Sequence, residues 1–420
     1  MRPLRTWLAV AGVVAIGDQA FFVVLSLFLL SSYGSGIAAS FLTVASIARL
    51  ALILVGGWAA DRWSPYRCIQ VGLVLRITSF LIVGLDSLGG PSVPLLSCGV
   101  ILFGAGDGLY LPSSGALLKR LTNHGDFSRT ISWVQVITSV ATGLAGATSG
   151  FSFEAIPLHN LFFSFALLAL AAFALFHAIP DTPSFALFHA IPDTPSFALF
   201  HAIPDTPSAA PAADQAPADQ APSSTAASLR TVMMANSGTV AVGLLTALLI
   251  DASLSGALNI VLPARYLELG WGGGSFGVAV CLFALGGVLG GIIASRIPAD
   301  RPALRNAVVN GGILVFAALT CALYSALPEP VSLALVAALG LCAGVAAPTL
   351  IGDIMNNTPP EFAGRVYSAI NLVTYGSAPL AYAACGFLMA RFSTAAPFLV
   401  GAALLALGGA VRAATTPKPQ

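Results

Sequence analysis

GAGDGLYLP at 104–112 and GLCAGVAAP at 340–348 place Gly104, Gly108 and Pro112 in register with Gly340, Gly344 and Pro348 at a spacing of 236 residues. The register continues down the chain. Arg129, Ser132, Gly150 and Phe151 recur at that spacing as Arg365, Ser368, Gly386 and Phe387. Gly56-Gly57 recurs as Gly290-Gly291 at a spacing of 234, and Asp18 as Asp251 at 233. Differences in loop length account for the small drift. The chain is therefore two related halves, and its architecture follows from the environment in which those halves are stable.

That environment is a lipid bilayer. The 420 residues are 57% hydrophobic and 8% charged, whereas a soluble domain carries about 25% charged residues. Apolar runs recur at close to the ~20 residues that cross hydrocarbon as helix. In lipid they must be helical, because a helix satisfies its own backbone groups. The ~10-residue alternating segments of an outer-membrane barrel do not occur. With a net charge of +1 there is no basic patch for nucleic acid. Arg2 and Arg5 lead into an apolar run that continues past Leu30 without a small-residue cleavage site, so the N-terminus reads as a first span, not a signal peptide. The six cysteines are scattered through apolar segments with no C-x-x-C; they read as packing residues, and neither a metal site nor a disulfide framework is expected.

Twelve spans are expected, at 7–31, 37–60, 68–88, 93–118, 130–151, 157–179, 237–262, 272–296, 305–327, 331–355, 366–390 and 396–413. An even number puts both termini on one side. Fourteen of the eighteen Lys and Arg fall at one set of span ends, which makes that side, and both termini, cytoplasmic. The expected fold is an all-α polytopic membrane protein of two pseudo-symmetric six-helix bundles, 1–180 and 231–420, joined by a cytoplasmic linker at 181–230. FALFHAIPDTPS occurs three times without change, at 173–184, 185–196 and 197–208, and ADQAP twice at 213–222. The first dodecapeptide closes the sixth span. The next two carry two prolines each and cannot build another crossing, so the linker is expected to be largely disordered.

Six helices, a long loop and six helices resemble the Major Facilitator Superfamily. After the second span the sequence reads Gly57-Trp58-Ala59-Ala60-Asp61-Arg62, and the second half keeps Gly291 and Arg296 at the matching place. Gly57, Ala60, Asp61 and Arg62 match the family signature G-x-L-A-D-R. Ser64, Pro65 and Tyr66 depart from its continuation. Gly17-Asp18 in the first span and PPEFAGRV at 359–366 are similar to the bacterial macrolide and siderophore exporter branch. Ala147 stands where that branch's glycine–proline pattern has its proline. The resemblance implies alternating access, with Gly57, Asp61, Arg62, Arg296 and Asp353 forming a cytoplasmic gate in which Asp353 pairs with Arg296.

Charge inside a span costs at least ~2.5 kcal/mol, so it is retained where paired or functional. Counted along their spans, Asp18, Arg49, Arg76 and Asp107 all reach a depth of roughly 12–17 Å. Two acids and two arginines at one level form a neutral cluster in the first half. It serves either as a structural ion-pair network or as a proton-coupling site with Asp18 or Asp107 titrating. Arg76 is expected at its margin, because in the resembled family the third span packs behind the cavity. Asp251 has no evident cation in its own half. Gln19, Tyr110, Gln135, Asn259, Asn371 and Tyr375 are candidates for the sparse polar lining of an amphipathic cavity, with hydrogen bonding between helices as the alternative. Gly286, Gly287, Gly290 and Gly291 read as packing residues.

The combined expectation is a monomeric secondary active transporter of the bacterial cytoplasmic (inner) membrane: a proton-coupled exporter of a small amphipathic compound, driven by the proton gradient without a cofactor. An importer of a metabolite or siderophore on the same fold is the first alternative, and a non-transporting receptor the second. No catalytic residues are assigned: neither an H-E-x-x-H nor a Walker motif occurs.

Overall fold

The computed structural model of the 420-residue chain describes residues 2–62, 64–90, 92–122, 127–179, 239–298, 301–356, 358 and 363–415. The described residues are helical almost throughout. Helix α1 runs Arg2–Arg62, 61 residues; as one rod it would be about 90 Å long, three times the ~30 Å hydrocarbon core. It breaks at Gly34, whose φ of 76° and ψ of 172° are open to glycine and strained for other residues. Its two arms carry the expected spans 7–31 and 37–60. Then follow α2 (Pro65–Gly89), α3 (Val93–Leu121), α4 (Phe127–Ala155) and α5 (Leu158–His177). The expected linker, 181–230, lies outside the described residues.

The chain resumes with α6 (Thr239–Gly256), a π-helical turn (Ala257–Val261) and α7 (Leu262–Glu268). After them come α8 (Gly272–Ala294), α9 (Pro302–Ala322), α10 (Glu329–Asn356), α11 (Ala363–Arg391) and α12 (Ala396–Thr415). The seventh span was expected to end at 262. It continues through α7 because Pro263 falls at the start of a helical segment, where its missing N–H costs little. The Leu262 N–H reaches back to the Ala257 carbonyl, a five-residue step that widens the turn around Asn259. Among the described residues, eleven helices are long and apolar enough to cross a membrane, with the 54-residue stretch Pro3–Gly56 counted once. Leu380, Leu167 and Phe387 stand outward, each more than 60% exposed, as lipid-facing side chains do.

Helices α1 to α5 pack on one another, α6 to α12 do likewise, and the two sets meet mainly through α4 on α8 and α1 on α11. The sequence register reappears as repeated contacts. Gly104 and Gly108 of α3 lie against the backbone of Ala45 and Arg49, while Gly340 and Gly344 of α10 lie against Phe283 and Gly287. A Cβ at any of these four glycines would collide with a neighbouring backbone; small residues are what let membrane helices come this close. The seams between the sets are also related by the repeat. Gly150 abuts Gly273 and Gly277, and its counterpart Gly386 abuts Ala39. Both seams lie at the ends of α4 and α11 remote from the start of α1.

Candidate functional site

Asp18, Arg49, Arg76 and Asp107 form one connected group. Arg76, on α2, donates from Nη2 to Asp107 Oδ1 at 2.7 Å and reaches Asp18 Oδ2 at 2.9 Å. Arg49 Nε lies 2.6 Å from Asp107 Oδ2, as an ion pair without hydrogen-bond alignment. The Arg76 guanidinium carbon stands 4.4 Å from the centre of the Tyr110 ring, and Tyr110 stacks on Trp7. Arg49 sits 5.1 Å over Tyr375, a residue of α11 in the other set.

Close glycine packing brings these residues together. Gly104 and Gly108 flank Asp107 on α3 and let that helix press on the second arm of α1, which carries Arg49. Gly106 is packed against the Gly72 carbonyl, drawing α2 and Arg76 in from the other side. The expected marginal place of Arg76 is therefore corrected. It is the centre of the cluster, fully buried and bonded to both acids, because α2 packs directly on α3 at the level of Gly72 and Gly106.

A cavity of about 380 Å³ adjoins the cluster. Asp18, Arg49, Arg76 and Asp107 line one part of it, and Trp7, Ser114, Leu118 and Gln135 carry it toward the end where α1 begins. A second cavity, about 240 Å³, lies between the two sets and is lined by Gln19, Thr142, Asn259 and Phe283 among others. The six expected polar lining residues are thus divided. Tyr110 and Gln135 face the first cavity, Gln19 and Asn259 the second, and Tyr375 flanks Arg49. Asn371 is half-buried on α11 and belongs to neither lining. Asn259 donates to the Tyr382 hydroxyl at 2.9 Å from within the π-helical turn.

Asp251 accepts a hydrogen bond from Thr374 Oγ1 at 2.8 Å, a partner not apparent from the sequence. At the other end, Asp353 does not take the expected partner. It pairs with Arg305 at 2.5 Å and with Arg412 at 3.5 Å, while Arg296 is exposed beyond the end of α8. The reason is helical position: Arg305 lies in the first turn of α9, which packs on α10, and Arg412 is buried on α12. Arg62 ends α1 and is exposed; the assignments to Gly57 and Asp61 lie outside the described side chains. Among the described residues no group of three or more His, Cys, Asp or Glu is placed to hold a metal.

The sequence profile of the Major Facilitator Superfamily matches residues 7–381 and, again, 244–420. The chain belongs to the Major Facilitator Superfamily. This superfamily member shares its fold with a D-xylose–proton symporter, at a TM-score of 0.73 and 14% identity over 99% of this chain and 98% of that one. It is also similar to the nucleoside transporter NupG (0.71, 12%, 99% and 100%) and to the POT family transporter PepTSo (0.70, 12%, 99% and 97%). No curated protein matches it in sequence. Membership makes the chain a multi-pass membrane transporter of a small molecule, and not an enzyme.

Proposed function

We propose that this protein is a proton-coupled secondary active transporter that exports a small amphipathic compound across the bacterial cytoplasmic membrane by alternating access, as a monomer and without a cofactor. The observation that carries the reading is the placement of two acids on one buried arginine at the wall of a cavity. Two acids share one cation there, so a modest displacement of Arg76 would leave a carboxylate in need of another countercharge.

Counting the two arms of α1 separately makes twelve crossings and puts both termini on one side. The two helix sets are then two six-helix bundles, 1–180 and 231–420, joined by a linker at 181–230. With the termini cytoplasmic, the first cavity leads inward, and the glycine seams of Gly150 and Gly386 close the outer side. That arrangement is an inward-facing state, the one in which an exporter loads. The second cavity, with Gln19 and Asn259 set among apolar side chains, supplies the mixed lining that an amphipathic solute needs.

The test is flux in proteoliposomes of fixed orientation under an imposed pH gradient. Export coupled to proton entry predicts solute movement opposite to the proton, abolished by an uncoupler. Movement in the direction of the proton would establish the importer instead. Saturable binding without any flux would establish a receptor.

A further inference from the structure

The first cavity's wall carries one charged group that the ion pairs can spare. Arg76 holds both acids, through a hydrogen bond of 2.7 Å to Asp107 and a contact of 2.9 Å to Asp18. Removing Arg49 from Asp107 would therefore leave neither carboxylate without a cation. Arg49 is also the most exposed member, with 36% of its side chain accessible, against 2% for Arg76, 25% for Asp18 and 11% for Asp107. Its contact with Asp107 lacks hydrogen-bond alignment. Arg49 meets Gly108 through its backbone carbonyl, so the close packing there does not use its side chain.

We infer that Arg49 recognises the transported solute, and that the solute is a small, largely apolar molecule bearing a carboxylate. The inference rests on the transporter reading above and places the solute's charged end in the first cavity, beside the ion pairs. A guanidinium presents parallel N–H groups that match a carboxylate's two oxygens. Arg49 can turn its fork to such a group while Asp107 stays on Arg76. A lipophilic cation would instead meet Arg49 as the most accessible charge of the cavity and be repelled. The Tyr375 ring beneath Arg49 belongs to α11, so a solute that turns the Arg49 fork disturbs a contact between the two helix sets, as a site that drives their rocking requires. Trp7, Val14, Leu111 and Leu118 offer the solute's body an apolar surface.

The experiment uses the purified full chain in detergent, titrated calorimetrically with 2-naphthoate, 2-naphthamide and 2-naphthylmethylammonium. The expected result is binding of naphthoate, at least roughly tenfold weaker binding of the amide, and none of the ammonium, the step that one charge-assisted contact supplies. Arg49→Gln should erase the preference for naphthoate over the amide. Should that variant not elute as a single folded species, Arg49→Lys replaces it and should reduce the preference, because a point charge lacks the planar fork. Tighter binding of the ammonium, an unchanged preference in the Arg49 variant, or no binding of naphthoate overturns the inference. The two readings fail separately: naphthoate bound as expected but never moved by a proton gradient counts against transport alone, and gradient-driven flux of the ammonium counts against the carboxylate alone.

Discussion

Glu154, near the end of α4, accepts a hydrogen bond from the Gly273 N–H in the first turn of α8 at 2.6 Å. The contact joins the two helix sets at the seam where Gly150 meets Gly273 and Gly277. A carboxylate at a helix N-terminus takes an orphan donor and meets the favourable end of the helix dipole. The bond spans the two sets, so parting them at this end would break it.

Replacing Glu154 should therefore release the seam. A hydrogen bond to a charged group contributes about 1.5–3 kcal/mol, so Glu154→Ala should raise the open-outside population by roughly ten- to a hundredfold. Spin labels near the ends of α4 and α8 would read the change as a longer distance. Gly150→Val should act in the same direction, since its side chain has no room against Gly273 and Gly277. An unchanged distance distribution in both variants would show that the seam is not a latch.

Neutralising the acids should separate coupling from binding. If Asp18 or Asp107 carries the proton, Asp18→Asn and Asp107→Asn should each abolish gradient-driven transport and leave downhill exchange intact. Arg76→Gln should differ in kind. It leaves Asp18 without its cation and Asp107 with Arg49 alone, and should lower the melting temperature. Normal active transport in both Asn variants would leave only the structural role of the ion pairs.

At the other end of the bundle, Asp353→Asn should destabilise the protein, because Arg412 is almost wholly buried and reaches Asp353 at 3.5 Å. Arg296→Gln should have an effect within about 0.5 kcal/mol, as exposed substitutions usually do. Thermal melting of the two variants in one detergent compares them directly. Equal losses would mean that Arg296 takes part in an ion pair in another state.

Topology follows from the turn at Gly34. Reporter fusions after Pro180 and after Gln420 should both report the cytoplasm, and one after Gly90 the outside. A fusion after Gln420 that reports the outside would mean that the two arms of α1 are not separate crossings.

The helical membrane class, the duplication and the close packing of Gly286 and Gly290 were legible in the residues alone, whereas a Cβ at Gly291 would meet open space. All three depend on hydrophobicity and on backbone satisfaction in lipid, which are properties of composition and spacing. The common depth of Asp18, Arg49, Arg76 and Asp107 was legible too, because rise per residue is fixed along a helix. Which of them touch was not. Each residue turns a helix face by about 100°, so partner choice depends on helix rotation and packing distance. Those were set by glycine contacts such as Gly106 on Gly72, which moved Arg76 from the margin to the centre. The same cause gave Asp353 to Arg305 and Arg412, brought Thr374 to Asp251, and joined Glu154 to a backbone N–H that no side-chain pattern announces. Depth is written along one helix; contact is decided between helices, and only the tertiary structure holds that information.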